Sequence, residues 1–321
     1  MAEGSNSIPF RVAANASLSP KLYRVALAGR VNGIDFKTAN PTEIRPERGA
    51  YRLSPVQVGL SKGNVRLAGT YGNGYALQSQ LDRFDISLLN GGAPNLWLAG
   101  VASGRLDVAQ NAGGSFPTAT ANLAIIGFSR ASLTGNSEPV DLSLGGTMRA
   151  RGSDIRAVIR KGGTVVGRVQ AGLGGISGGG KLGSQLSSAS LSGGIRYNGP
   201  AGVLFSFAAL PDQFVSGPIG VAADFSGRVG QPQLVGLVRS QSLTYLNETY
   251  GTKLTNVAIN GRFTNDRLAL MIASSLVGCH KVEKFAAQFS NLAQDIEQRQ
   301  NAINHDMAAG SELAPIPADS H

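Results

Sequence analysis

Apolar and polar side chains alternate with a period of two through most of this chain, and the alternation is broken at short intervals by glycine. It recurs from residue 21 to residue 270, in Val65-Arg66-Leu67, Ile86-Ser87-Leu88, Leu96-Trp97-Leu98, Leu106-Asp107-Val108, Leu142-Ser143-Leu144 and Val257-Ala258-Ile259. An apolar residue at every second position greases one face of a strand and leaves the other to water. Turn signals separate these runs: Gly72-Asn73-Gly74, Asn90-Gly91-Gly92, Asn111-Ala112-Gly113-Gly114, Lys161-Gly162-Gly163 and Asn198-Gly199-Pro200. Glycine reaches positive φ without steric penalty, which tight hairpins require. The span shows no sustained helical period, so the expected fold is all-β: an elongated, twisted, curled antiparallel sheet that meanders from strand to strand. Strand-to-glycine segments such as Val65-Arg66-Leu67-Ala68-Gly69 and Leu96-Trp97-Leu98-Ala99-Gly100 repeat loosely, without the fixed period of a solenoid.

Composition bears on how such a sheet can pack. The chain has 43 glycines, 41 of them before residue 271, against 12 Phe, 7 Tyr and 1 Trp. A compact sandwich wants bulky inward residues from two facing sheets. A curled sheet lined by Val, Leu, Ile and occasional Phe leaves a long apolar furrow instead. The candidate furrow residues are Val65, Leu67, Ile86, Leu88, Leu96, Leu98, Leu106, Val108, Leu142, Leu144, Val203, Phe205, Phe207, Val257 and Ile259, with Val203, Phe205 and Phe207 read as one stripe. Ordinary core packing is the alternative fate of the same residues. Residues 171–194 are rich in Gly and Ser and read as a flexible insertion or an under-packed edge.

Residues 1–270 carry 26 Lys and Arg against 14 Asp and Glu, and residues 271–321 carry 3 against 6. A basic surface can attract nucleic acid or anionic lipid headgroups. Arg66, Arg105, Arg149, Arg151, Arg156, Arg160 and Arg168 are nevertheless scattered singly, without interleaved stacking aromatics, so solvated outward positions are expected and a nucleic-acid partner is not.

Catalytic parts are scarce. Residues 1–270 contain neither histidine nor cysteine, which removes Ser/His/Asp and Cys/His catalysis and soft metal ligation from that span. Asp82 with Asp85, and Asp35 with Glu43, are the carboxylate pairs available for acid–base work, though single acids at strand ends are more often solvated or turn-forming. Gly175-Ile176-Ser177-Gly178-Gly179-Gly180-Lys181 has the spacing of a phosphate-cradling loop, but Leu182 stands where Ser or Thr must bind magnesium. No catalytic residue, cofactor or metal site is expected, and the chain is read as non-enzymatic.

Composition changes after residue 270: the remaining 51 positions hold 2 glycines, all three histidines and the only cysteine. Val282, Phe285, Phe289, Leu292, Ile296 and Ile303 fall on heptad a and d positions and predict an amphipathic helix over 281–309, followed by a disordered end with Pro315 and Pro317. His280, His305 and His321 are too far apart for metal-ligand spacing. The tail is either a helix packed near the sheet or a segment of frameshift or fusion origin. Leu276-Val277-Gly278-Cys279 resembles a lipobox placed internally, with an inert thiol as the alternative. The organisation expected is a lead-in over 1–20, the β-groove over 21–270 and the tail over 271–321. Neither a secretory signal at the start nor an apolar run of membrane-spanning length is present in the sequence.

Several stretches resemble the TamB family, the inner-membrane component of the translocation and assembly module, related to AsmA-like lipid-transfer proteins. The resemblance is carried by Ala223-Asp224-Phe225-Ser226-Gly227, Pro232-Gln233-Leu234-Val235-Gly236, Asn247-Glu248-Thr249-Tyr250-Gly251-Thr252 and Asn260-Gly261-Arg262-Phe263-Thr264-Asn265-Asp266-Arg267-Leu268. Gly29-Arg30-Val31-Asn32-Gly33-Ile34-Asp35-Phe36 and Leu81-Asp82-Arg83-Phe84-Asp85-Ile86-Ser87-Leu88-Leu89 agree with it. It covers about residues 8–270 and is closest in wording to alphaproteobacterial members. The resemblance implies a periplasmic β-groove, anchored to the inner membrane in the full-length family. Such a groove moves phospholipid by its acyl chains toward the outer membrane, or assists β-barrel assembly with a TamA-like outer-membrane partner. It brings no catalytic residues. The family's anchor and later strands have no counterpart here, so the chain is read as a fragment. A structural surface or adhesin-type β protein and a non-functional truncated product are the alternatives.

Overall fold

The computed structural model describes residues 2–6, 8–31, 33–91, 97–114, 116–132, 135–149, 151–175, 182–208, 210 and 212–275. They form the expected all-β fold, an antiparallel meander in which most strands pair with their sequence neighbours. The expected helix over 281–309, the three histidines and Cys279 lie outside the described residues, as do Leu96 and positions 176–181 of the glycine-rich loop.

The sheet starts before residue 21. β1 (Ala2–Asn6) pairs with β2 (Ile8–Ser19), and β2 pairs along its length with β3 (Leu22–Val31), from Phe10 opposite Val31 to Ser19 opposite Leu22. β4 (Ile34–Thr38) and β5 (Thr42–Glu47) together occupy one strand position, because both pair with β3 and with β6 (Ala50–Leu60). The meander continues through β7 (Asn64–Gly72), β8 (Gly74–Asp85), β9 (Leu98–Asn111) and β10 (Thr118–Ser132). The two-residue β11 (Gly135–Asn136) folds back on the end of β10, whose main partner is β12 (Val140–Met148). β13 (Ser153–Lys161) and β14 (Thr164–Gly174) are joined by Gly162 and Gly163, at φ 57° and 81°. Two consecutive positive φ values define the turn whose twist matches the flanking strands.

A short helix, α1 (Leu182–Ser188), precedes β15 (Ser190–Pro200). The 171–194 stretch is therefore not a single insertion: 171–174 and 190–194 are paired strand. A second helix, α2 (Ala201–Phe207), follows β15 directly. β16 (Gln213–Ser216) and β17 (Pro218–Arg228) form one interrupted strand along β18 (Gln231–Asn247), and β19 (Thr252–Thr264) and β20 (Leu268–Ser275) complete the sheet. β20 carries the sheet five residues past the expected boundary at 270.

The buried side chains gather in three clusters, all drawn from residues between 116 and 272. Two of them sit under α2 and the third beside α1. Val56 and Ala102 in the earlier strands, and Ile86 just after β8, are buried but form no such cluster.

Candidate functional site

The strand register converts the period-two pattern into continuous rows that cross the sheet. One row runs Val56, Leu67, Ser79, Leu106, Ala121, Gly146, Ile155, Ala171, Gly193 and Phe225, each opposite the next on the adjacent strand. Two residues along each strand, a parallel row runs Val58, Val65, Leu81, Gly104, Leu123, Leu144, Ala157, Val169, Ile195 and Ala223. Between them, on the other face, lies the polar row Gln57, Arg66, Gln80, Arg105, Asn122, Gly145, Arg156 and Gln170. One face of the sheet is thus apolar across many strands.

That face is covered at its margins and open along its middle. Val65, Leu67, Leu106, Val108, Leu123, Leu144, Val169 and Ile195 are half-buried, and none belongs to a buried cluster. Leu77 and Ile155, on the same face, keep 38% and 36% of their surface exposed. A facing second sheet would bring such positions close to zero exposure. Lateral neighbours alone leave them part-wet, so these residues belong to an apolar face that no second sheet seals.

Where strands β12, β15 and β17 meet α2, the face is sealed. Val203 is 2% exposed and packs with Val140, Val166 and Tyr197, while Phe207 stacks on Phe128 with ring centroids 6.0 Å apart. The helix is fixed by three contacts: the Ala201 amide donates to the Gly217 carbonyl at 2.8 Å, the Glu138 amide to Ser206 Oγ at 2.8 Å, and the Tyr197 hydroxyl to the Pro200 carbonyl at 2.8 Å. Burial, followed by the charge of Glu138, raises the Tyr197 hydroxyl to about 12, which keeps it a donor. At the opposite strand ends, Phe116 and Ala189 are buried with Met148, Leu173 and Leu186 of α1.

Several candidate residues therefore change role. Val203, Phe205 and Phe207 are not a strand stripe, because Pro200 ends β15 and the chain turns into α2. The run Ala201-Gly202-Val203-Leu204-Phe205-Ser206-Phe207 is apolar enough to satisfy either period, and periodicity alone cannot separate the two. Ile86 and Leu88 lie on a 3-10 turn, Ile86–Gly91, started by the Asp85 carboxylate accepting the Ser87 amide at 2.9 Å. Leu98 begins β9, with its backbone held on both sides by the Asn90 side chain at 2.8 and 2.9 Å. Leu142, Val257 and Ile259 face the apolar side but are covered: Leu142 joins the Val203 cluster, and Val257 and Ile259 pack with Leu243 and Ala201.

A second pattern was not anticipated from the sequence. On the apolar face, glycines stand directly opposite aromatic residues, among them Gly29 opposite Phe36, Gly167 opposite Tyr197, Gly193 opposite Phe225 and Gly236 opposite Phe263. A Cβ added at Gly193 would fall 2.7 Å from the Phe225 ring, and one at Gly236 would collide with the Phe263 ring. Each ring lies over its neighbour's missing side chain.

The carboxylate pairs named above do not converge. Asp35 accepts from Arg30 at 2.6 and 2.8 Å, and Glu43 is held by Arg24 and Arg45 at 3.2 and 3.0 Å. These guanidinium hydrogen bonds hold both carboxyls below their ordinary pKa. Asp85 is paired with Lys62 at 3.1 Å, away from Asp82, which lies opposite Asn64. Among the described residues no three His, Cys, Asp or Glu side chains group as a metal site, and no helix is long and apolar enough to cross a membrane. Comparison with protein-family models, with curated proteins and with solved structures finds no match in any of the three.

Proposed function

We propose that this chain is a TamB-like, non-enzymatic segment of a bacterial envelope protein, working in the periplasm, whose apolar face forms the floor of a trough that carries phospholipid acyl chains. The observation that carries the reading is the half-buried apolar face, above all Leu67, Leu106, Leu144 and Val169, which stand on alternate strands of the sheet outside the buried clusters. Burial of hydrocarbon yields about 0.8 kcal/mol per CH₂ without recognising a particular headgroup. Contacts of that kind are individually weak, so a cargo can slide along the rows and leave. The resemblance over residues 8–270 supports the same reading, with a TamA-like outer-membrane barrel as partner. Unfolded outer-membrane protein segments are a second cargo of matching chemistry.

Lipid extraction and native mass spectrometry of the purified full chain test this. Phospholipid is expected to co-purify, and a photo-crosslinker placed at Leu144 or Val169 is expected to capture it in cells. Leu144→Arg combined with Val169→Arg is expected to abolish retention while circular dichroism stays unchanged. Protein free of lipid, with silent crosslinkers at both positions, overturns the proposal.

A further inference from the structure

The outer face of β14, β15, β17 and β18 holds a shallow hollow of about 450 Å³ lined in part by Arg168, Arg196, Arg239, Val165, Ala222 and Leu237. Arg168 and Arg196 stand directly opposite each other on paired strands. Like charges in that arrangement oppose each other unless an anion lies between them. Asp224 meets Arg196 at 2.6 Å, whereas Arg168 and Arg239 have no carboxylate partner among the described residues. Arg262 adds a further guanidinium two strand positions from Ala222, across Leu237.

Apolar residues stand among these charges. Val235, Leu237 and Arg239 project outward in succession along β18, and Met271 lies in the same outward row as Arg239, across Asn260. Val235 is 61% exposed and Met271 71%. Guanidinium groups flanking exposed apolar side chains match an amphiphile with a phosphate at one end and hydrocarbon beneath it. We propose that this outer hollow docks the chain on anionic phospholipid, with the headgroup phosphate held by Arg168, Arg196 and Arg239 and with Val235, Leu237 and Met271 in the headgroup–acyl boundary. The site is separate from the trough, being on the opposite face, and it reads headgroup charge where the trough reads hydrocarbon.

Co-sedimentation of the full chain with phosphatidylcholine vesicles, with and without phosphatidylglycerol, tests the docking. Binding is expected only with phosphatidylglycerol. Arg168→Gln with Arg239→Gln is expected to weaken it by roughly thirty-fold, from about a factor of five for each cation near the surface. Arg66→Gln with Arg105→Gln removes the same charge from the same face elsewhere and is expected to change binding less than three-fold. Equal losses in the two double variants would reduce the effect to net charge and overturn the site. Displacement by millimolar inorganic phosphate would make it a free-anion site, and preferential binding of a DNA duplex would make it a nucleic-acid surface; either result overturns it as well. Lipid retained in the trough is expected to be the same in all variants, so failure here leaves the trough reading standing and the reverse also holds.

Discussion

The glycine–aromatic pairs explain at the scale of single residues why a chain so rich in glycine still folds. At Gly236 the backbone is ordinary for a strand, so the requirement there is space: the Phe263 ring fills the volume a methyl group would take. Gly236→Ala is expected to destabilise the protein by about 1–3 kcal/mol, the usual cost of overpacking. Gly145 has open space where its Cβ would be and an ordinary φ, so Gly145→Ala is expected to be neutral or slightly stabilising. Urea denaturation of the two variants checks both, and equal effects would show that the ring at Gly236 moves aside freely. The sequence displays the glycines and the aromatics but not their pairing, since pairs such as Gly29 with Phe36 and Gly193 with Phe225 join residues 7 and 32 positions apart whose opposition depends on register.

At the scale of elements, α2 divides the apolar face into a sealed part and an open part. Val203 sits in the sealed part, and Val203→Ala removes two buried methyl groups, which is expected to cost about 2 kcal/mol. Leu144 is half-buried on the floor, and Leu144→Ala is expected to cost less than about 1 kcal/mol while lowering the lipid that co-purifies. Thermal denaturation beside lipid extraction separates the two effects; loss of lipid in Val203→Ala at unchanged stability would instead place cargo under the helix. Much of this was legible beforehand. Leu106-Asp107-Val108 and Leu142-Ser143-Leu144 alternate as written, and the Lys161-Gly162-Gly163 turn is where the glycines place it. The misreadings share one cause, an apolar alternation adjoining a residue that overrides it: Pro200 before α2, and Asp85 before the 3-10 turn at Ile86. The distinction between Leu144 as floor and Leu142 as core, one pleat apart, depends on where α2 comes to rest, and no local pattern encodes that.

Across the whole molecule, strands gain support chiefly from the strands beside them, as in repeat architectures whose stability is a sum of local and nearest-neighbour contributions. Such a sheet need not open as one unit. Its buried clusters lie between residues 116 and 272, where α1 and α2 cover the apolar face, whereas β6, β7 and β8 rest on half-exposed floor with few buried apolar side chains. An uncovered floor is what a trough requires, and it also withholds the burial that would stabilise those strands. Hydrogen exchange read by mass spectrometry is therefore expected to show peptides from 50–85 opening at lower free energy than peptides from 190–260. Bound lipid is expected to narrow the difference, since a cargo lying on Val65, Leu67 and Leu144 supplies the missing apolar partner and stabilises only the state that holds it. Uniform protection across both regions in lipid-free protein would mean that the strands are coupled into one cooperative unit despite the open floor. Narrowing on lipid addition that is confined to 190–260 would mean that cargo sits against the helices and not along the rows.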